Sequence, residues 1–452
     1  MEPPGRSMEN PEVIIVPDVA ADSPSCSASA TANEQDIVSL TSHTYAAAFR
    51  CIGASCEAHC CGDWNIPVDR NTYERYRQFP PEKLGSLVSK FVFLNSPGQP
   101  EGLFATINLG SLGLCPFFGD DHLCGIQKEY GPQLLSSTCS IYPRSLSRVA
   151  GKLEGSLSLS CPEAARNVLL DPNFMQIKGN LLSGDFRTDN IFHVARDQSG
   201  ALHKPEGLFG AIRQLLIGMV RDRSRPMWHR LLSIGFLCKR LDDIIAEDGG
   251  GSLSRILRAY HRIIEDDAVQ TEFEAMPSRP RLKLEVIFAL TEARLQDTSG
   301  NRFRDTFWTF VEGIAASESA QPEDDVERFL RAEEQYYRPF FDRFPFILEN
   351  YLLNYMFQNL FPYGRAGSSD FAPLNMFGEY IRMTTHFAWI NALLVGIAGH
   401  YKEAFAGEHV VHTVQSLTRA VEHYPDVLKS IDEYMRIRGL DNLQGMAVML
   451  KS

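Results

Sequence analysis

The stretch FRCIGASCEAHCCGDW, residues 49–64, places Cys51, Cys56, Cys60 and Cys61 within eleven positions, the last two adjacent. After a gap of 53 residues come Cys115, Cys124, Cys139 and Cys161, spaced x8, x14 and x21. Pro and Gly are frequent throughout this segment and helical periodicity is weak, so it reads as loop-rich with short strands. Two strand candidates are LFATINLGSLGLC, leading to Cys115, and GSLSLSC, where Leu157 and Leu159 alternate with serines before Cys161.

Eight thiols this close together have three physical uses. Disulfides need an oxidising compartment, and the N-terminus MEPPGRSMENPEVIIVPDV lacks the basic and apolar regions of a secretory signal, so a cytoplasmic protein with free thiols is expected. Buried structural thiols are ordinary singly. Eight together, beside Glu57, His59, Asp63, Asp120 and Asp121, point instead to metal or iron-sulfur ligation. Structural zinc usually takes C-x2-C pairs, and the chain has none. Iron-sulfur clusters accept wider spacing, and a proline often follows a cluster cysteine, as in Cys115-Pro116, Cys161-Pro162 and Cys139-Ser-Ile-Tyr-Pro143. The expected ligands are therefore drawn from Cys51, Cys56, Cys60, Cys61, Cys115, Cys124, Cys139 and Cys161, holding one 4Fe-4S cluster or two, with zinc as the alternative. His59 and His122 read as neighbours rather than ligands, and His409 and His412 as a solvated helix face.

Outward from this segment the character changes. Residues 1–40 are small and polar and read as a disordered tail, including Cys26. Residues 41–170 form the cysteine-rich domain, 171–205 a linker region, and 206–452 a helical domain in which apolar residues recur at three and four. Leu231, Ile234, Cys238, Leu241 and Ile245 make one such stripe, and Leu253, Ile256, Leu257, Tyr260, Ile263 and Ile264 another. Further helical patterns cover 281–295, 303–314, 345–360, 374–399 and 410–436. The fold class is mainly α: a loop-rich cysteine-cluster N-terminal domain with short strands plus an all-α C-terminal domain. A formal charge of -12, from 44 basic and 56 acidic residues, argues against nucleic acid as a partner. The longest apolar run, FAWINALLVGIAG, has thirteen residues, too few for a membrane-crossing helix.

The chain resembles the flagellin lysine-N-methylase family (FliB-like), and its cysteine part also resembles the YkgJ-type cysteine-cluster proteins. The matching stretches are FRCIGASCEAHCCGDWNIPVDRNTYERY (residues 49–76), CPFFGDDHLCGIQKEYGPQLLSSTCSIYPR (115–144), Cys161-Pro162, and ENYLLNYMFQNLFP (349–362). The resemblance implies transfer of methyl groups from S-adenosylmethionine to lysine side chains of flagellin, or of another protein, by a protein carrying an iron-sulfur cluster. Neither a glycine-rich strand-to-helix turn for the methyl donor nor the C-x3-C-x2-C spacing of radical enzymes is present. Arg144 is the candidate to pair with the donor's carboxylate, with a structural salt bridge as the alternative. No catalytic base can be named; Tyr73, Tyr76 and Tyr142 are candidates by proximity, each also readable as packing. The alternative function is a non-catalytic iron-sulfur or zinc-binding module that binds a partner or exchanges electrons.

Overall fold

The three-and-four spacing after residue 206 becomes a layered set of helices, and the glycine- and proline-rich segment before it becomes loops, short helices and two small sheets. A computed structural model describes residues 45–451 apart from short internal stretches, of which 177–190, 194–208, 315–321 and 366–373 are the longest. The expected tail, residues 1–40 with Cys26, lies outside the described residues. Residues 42–452 cluster as one compact unit. The protein is mainly α.

The cysteine segment holds strands β1 (Ile66–Val68), β2 (Val92–Leu94), β3 (Ala105–Ile107), β4 (Arg144–Val149), β5 (Lys152–Leu157) and β6 (Ile191–His193). It also holds helices α1 (Arg70–Tyr76), α2 (Ser86–Phe91), α3 (Gly125–Tyr130), α4 (Ser137–Ile141) and α5 (Pro162–Leu169). One antiparallel sheet has the order β1-β3-β2; in the other, β4 pairs antiparallel with β5 and parallel with β6. The first sheet covers its own small core, with Tyr76 and Phe117 at its centre. The second sheet, α5 and the turn after it bury Leu146, Leu157, Val168 and Phe174 in the main core, together with the helices that follow.

Those helices are α6 (Phe209–Arg221), α7 (Met227–Asp248), α8 (Leu253–Ile264), α9 (Asp267–Ala275), α10 (Pro280–Asp297), α11 (Asn301–Ile314), α12 (Pro322–Ala332), α13 (Arg338–Arg343), α14 (Phe346–Gln358), α15 (Met376–Tyr401), α16 (Gly407–Val421), α17 (Pro425–Ile437) and α18 (Leu443–Leu450). The apolar run 387–399 lies in α15, which is buried along most of its length. Among the described residues no helix is long and apolar enough to cross a membrane.

Helices α11 and α15 cross at a glycine contact. A Cβ on Gly313 would stand 1.7 Å from the Gly396 carbonyl oxygen, and one on Gly396 would stand 2.4 Å from the Phe310 ring. Backbone cannot swing aside as a flexible side chain can, so Gly313→Ala must push the helices apart. We expect it to lower stability by about 1–3 kcal/mol, read as a lower urea midpoint. Gly218→Ala, on the exposed face of α6 where a Cβ would meet nothing within 4 Å, should instead gain up to about 1 kcal/mol.

Two sequence expectations need correction. The run 410–436 is not one helix: Pro425 has no N–H to donate and holds Tyr424 in an extended conformation (φ -126°, ψ 90°), so α16 ends at Val421 and α17 begins afresh. His409 and His412 are not a solvated face: His409 stacks on Tyr401 with centroids 3.8 Å apart and accepts the Ala406 amide at 3.0 Å, while His412 is half-buried near Arg302.

Candidate active site between the cysteine loops and the helices

Each cysteine is set by a turn or helix start. Cys124 and Cys161 are the residues that cap α3 and α5, and Cys139 lies in α4, whose cap Ser136 accepts the Cys139 amide at 3.2 Å. The Cys115 amide donates to the Cys61 carbonyl at 2.6 Å, joining the two cysteine groups. The loop carrying Cys51 and Cys56 turns at Gly53, whose amide donates to Cys51 Sγ at 3.4 Å. Positive helix ends favour thiolates, and three of these thiols sit near such ends.

The thiols are within electrostatic reach of one another. A hydrogen bond from the Cys61 thiol, against the cost of burial, lowers Cys60 to about 7, while Cys61 is driven up by that same bond. Burial raises Cys115 and Cys161 to about 12 and lifts Cys124, Cys139 and Cys56 as well, and the charge of Cys60 adds to each. Like charges crowded this way are what a cation among them relieves. Among the described residues, however, no group of three or more His, Cys, Asp or Glu is arranged to hold a metal ion. The donor chemistry, a preponderance of soft thiols, suits iron-sulfur or zinc rather than a hard cation.

Helix α16 clamps these loops. Arg419 donates to the carbonyls of His59 (2.9 Å) and Gly62 (2.5 Å), and Gln415, one turn earlier, donates to the Ser160 carbonyl beside Cys161 at 2.9 Å. Helix α14 does the same through Asn354, which bonds the Leu157 backbone at 2.8 and 3.3 Å, and Asn350, which holds the carbonyls of Val168 and Asp171 at 2.8 and 2.9 Å.

Where loops and helices meet they enclose a cavity of about 220 Å³. From the cysteine segment come Trp64, Tyr142, Pro143 and Arg144, and from the helical side Tyr355, Gln358, Glu379 and Glu422, with His386, His423 and Arg365 completing the wall. Trp64 follows the Cys60-Cys61 pair closely, donates to the Cys60 carbonyl at 2.9 Å and stacks on His423 at 5.2 Å. Ser160 accepts or donates at 2.9 Å to Tyr142 and at 2.7 Å to His423. The cavity wall and the cysteine turns are thus built from the same loops.

Burial raises the carboxyls of Glu379 and Glu422 to about 7, against the pull of Arg382 on the first and Arg365 on the second. It also lowers His386 to about 3 and His423 to about 4, so both imidazoles are neutral. Glu379 packs against Gly364, where a Cβ would meet its Oε1 at 2.5 Å and where φ is +71°. Glu422 accepts from Gln358 Nε2 at 3.0 Å, and Arg382 is paired with Asp432. Arg144 lines the cavity but directs Nε and Nη2 to the carbonyls of Ala46 (3.1 Å) and Phe49 (2.9 Å). Tyr73 and Tyr76 pack in the small core, away from the cavity lining.

Sequence reasoning missed the cavity residues of the helical side. Two signals were present: Asn350, Asn354 and Gln358 recur at i, i+4 and i+8 in a largely apolar helix, and Glu379, Arg382 and His386 share one face of buried α15. Buried polar stripes demand partners, and here those partners are the cysteine loops and the cavity.

A mainly helical protein with a thiol-rich lobe sharing a wall with one carboxylate-bearing cavity is the class that fold and site define. The C-terminal domain of FliB lysine N-methylases matches residues 213–449 of the chain, just over half its length. The chain belongs to the FliB lysine N-methylase family. It is 23% identical over 420 residues to the Lysine-N-methylase of Salmonella choleraesuis (strain SC-B67), covering 90% of this chain and 98% of that protein. The Lysine-N-methylase of Salmonella typhimurium (strain LT2) matches to the same extent, 23% over 420 residues. The flagellar biosynthetic protein FliU of Salmonella muenchen is 32% identical over 141 residues, which span 31% of this chain and 82% of that one. No solved structure matches.

Proposed function

We propose that the protein is a cytoplasmic protein-lysine N-methyltransferase that takes methyl groups from S-adenosylmethionine and places them on flagellin lysines. The observation that carries this reading is the shared wall: thiol-bearing loops and carboxylate-bearing helices close around one cavity, in a chain whose full-length relatives are named lysine-N-methylases. The flagellar name of a shorter relative supports flagellin as the substrate.

A lysine is almost wholly protonated at neutral pH, so the site must take up its proton before the nitrogen can act as a nucleophile. Buried groups that titrate near 7 are suited to that work. S-adenosylmethionine, when bound, supplies an activated methyl on a sulfonium centre, and Arg144 is the residue proposed to meet its carboxylate. The eight cysteines from Cys51 to Cys161 are proposed as the thiolate pool for 4Fe-4S ligation, four to a cluster, in one cluster or two, with zinc as the alternative. When bound, the metal supplies positive charge among thiols that otherwise repel one another.

Protein purified without oxygen should contain iron and acid-labile sulfide in matching amounts. Cys124→Ser and Cys139→Ser should each lose most of both, together with methyl transfer from labelled S-adenosylmethionine to flagellin. Zinc without sulfide would replace the cluster by a structural metal. Retained metal with no methyl transfer to any lysine-bearing protein would sink the enzyme reading and leave a metal-holding partner module.

A further inference from the structure

We propose that the cavity bounded by Trp64, Tyr142, Tyr355, Glu379 and Glu422 is the port for the substrate's primary ammonium group, the two carboxylates being its anchor and proton acceptors. This rests on the methyl-transfer reading above and adds the residues that handle the amine.

Size and lining select the ligand. At about 220 Å³ the cavity lies below the range of roughly 300–1,000 Å³ that buries a whole small-molecule ligand, and it suits an aliphatic side chain better than a nucleoside. Aromatic faces at Trp64, Tyr142, Tyr355 and Tyr363 favour methylenes and an alkylammonium head. Charge agrees: Arg382 pairs with Asp432 and, at 3.4 Å, with Glu379, while Arg365 faces both Glu379 and Glu422, so three ionised carboxylates against two guanidiniums leave one negative charge for one ammonium. An independent sign of a ligand is His386, 5% exposed and bordering the cavity, whose Nε2 has no hydrogen-bond partner among the described residues. The imidazole is neutral and can accept an ammonium N–H. Gly364 and Gln358 position the two carboxylates, the first by leaving room for Glu379 and the second by donating to Glu422.

The ammonium N–H bond breaks and its proton passes to a Glu oxygen, leaving a neutral amine. The nitrogen lone pair forms the N–C bond as the methyl leaves the sulfonium donor, whose sulfur keeps the bonding pair as a thioether. The methylated nitrogen is then cationic, and the carboxyl loses its proton to solvent.

The test uses n-butylammonium as probe, titrated by calorimetry into the full chain, with Glu379→Gln, Glu422→Gln and the double variant. Glu285→Gln, on an exposed α10 ion pair, is the control. We expect one bound butylammonium per chain, weakened about tenfold by each cavity substitution and untouched by the control. Methyl transfer to flagellin should fall by about 10²–10⁴-fold in kcat/KM with the acid limb of its pH profile altered, while S-adenosylmethionine affinity holds. Equal butylammonium affinity in the parent and the double variant would overturn the port. So would loss of S-adenosylmethionine binding in the variants, which would give Glu379 and Glu422, and not only Arg144, to the donor's amino-acid end. Glu-dependent butylammonium binding in a parent chain that transfers no methyl would keep the port and remove the methyltransferase reading.

Discussion

Glu379→Gln is expected to be more stable than the parent at pH 8, by about 3 kcal/mol, and no more stable than the parent below about pH 4.5. The carboxyl titrates near its ordinary 4.5 in the unfolded chain and near 7 in the folded one, because burial outweighs the attraction of Arg382. Below 4.5 it is protonated in both states and contributes nothing. As pH rises through the interval to 7, the unfolded chain releases the proton while the folded chain holds it, so stability is lost, and above 7 the loss is complete. Glutamine mimics the protonated form at every pH and removes that loss. His386 and His423 act in the opposite direction, since their depressed values contribute stability that disappears as pH falls toward 3–4. Urea unfolding of both proteins at pH 4.5, 6 and 8 isolates the Glu379 contribution, because the histidine contributions cancel in the difference. A variant less stable than the parent at pH 8 would refute the account. A site group held at such cost is the pattern of stability traded for activity.

Arg213→Met should destabilise the protein by about 3–5 kcal/mol, the cost of leaving a buried charge without its partner. Arg213 on α6 meets Glu154 on β5 through two bonds of 2.5 and 2.9 Å, and its guanidinium lies 4.4 Å from the Phe357 ring centre. Both side chains are nearly buried, at 8% and 12% exposed, so water cannot replace the lost partner. The second sheet, which leads through Ser158–Ser160 to Cys161, is tied here to the helices. Adding Glu154→Leu to Arg213→Met should recover most of the loss, because no buried charge then stands alone. Urea midpoints of the two single variants and the double variant decide it: a single-variant loss below 1 kcal/mol would mean the pair is hydrated in solution.

The helices were legible because their signal is local. Leu231, Ile234, Cys238 and Leu241 repeat at the helical period whatever they pack against, and Gly249, at φ +65°, ends α7. The cysteine segment was legible as loop-rich because Pro and Gly are frequent in it and helical periodicity is weak. GSLSLSC was only partly readable: β5 stops at Leu157, and the last residues turn to make Cys161 a helix cap. The cavity could not be read in one dimension. Glu379, Glu422, Gln358 and Trp64 come from four separate stretches, and Glu422 and His423 reach the wall only because Pro425 breaks the helix there. Residue type and period are properties of short segments, so the sequence by itself determined the helices and the loop-rich character of the cysteine segment. Burial, and with it the raised carboxyls and the neutral histidines, is set by atoms distant in the chain, and that only the tertiary structure decided.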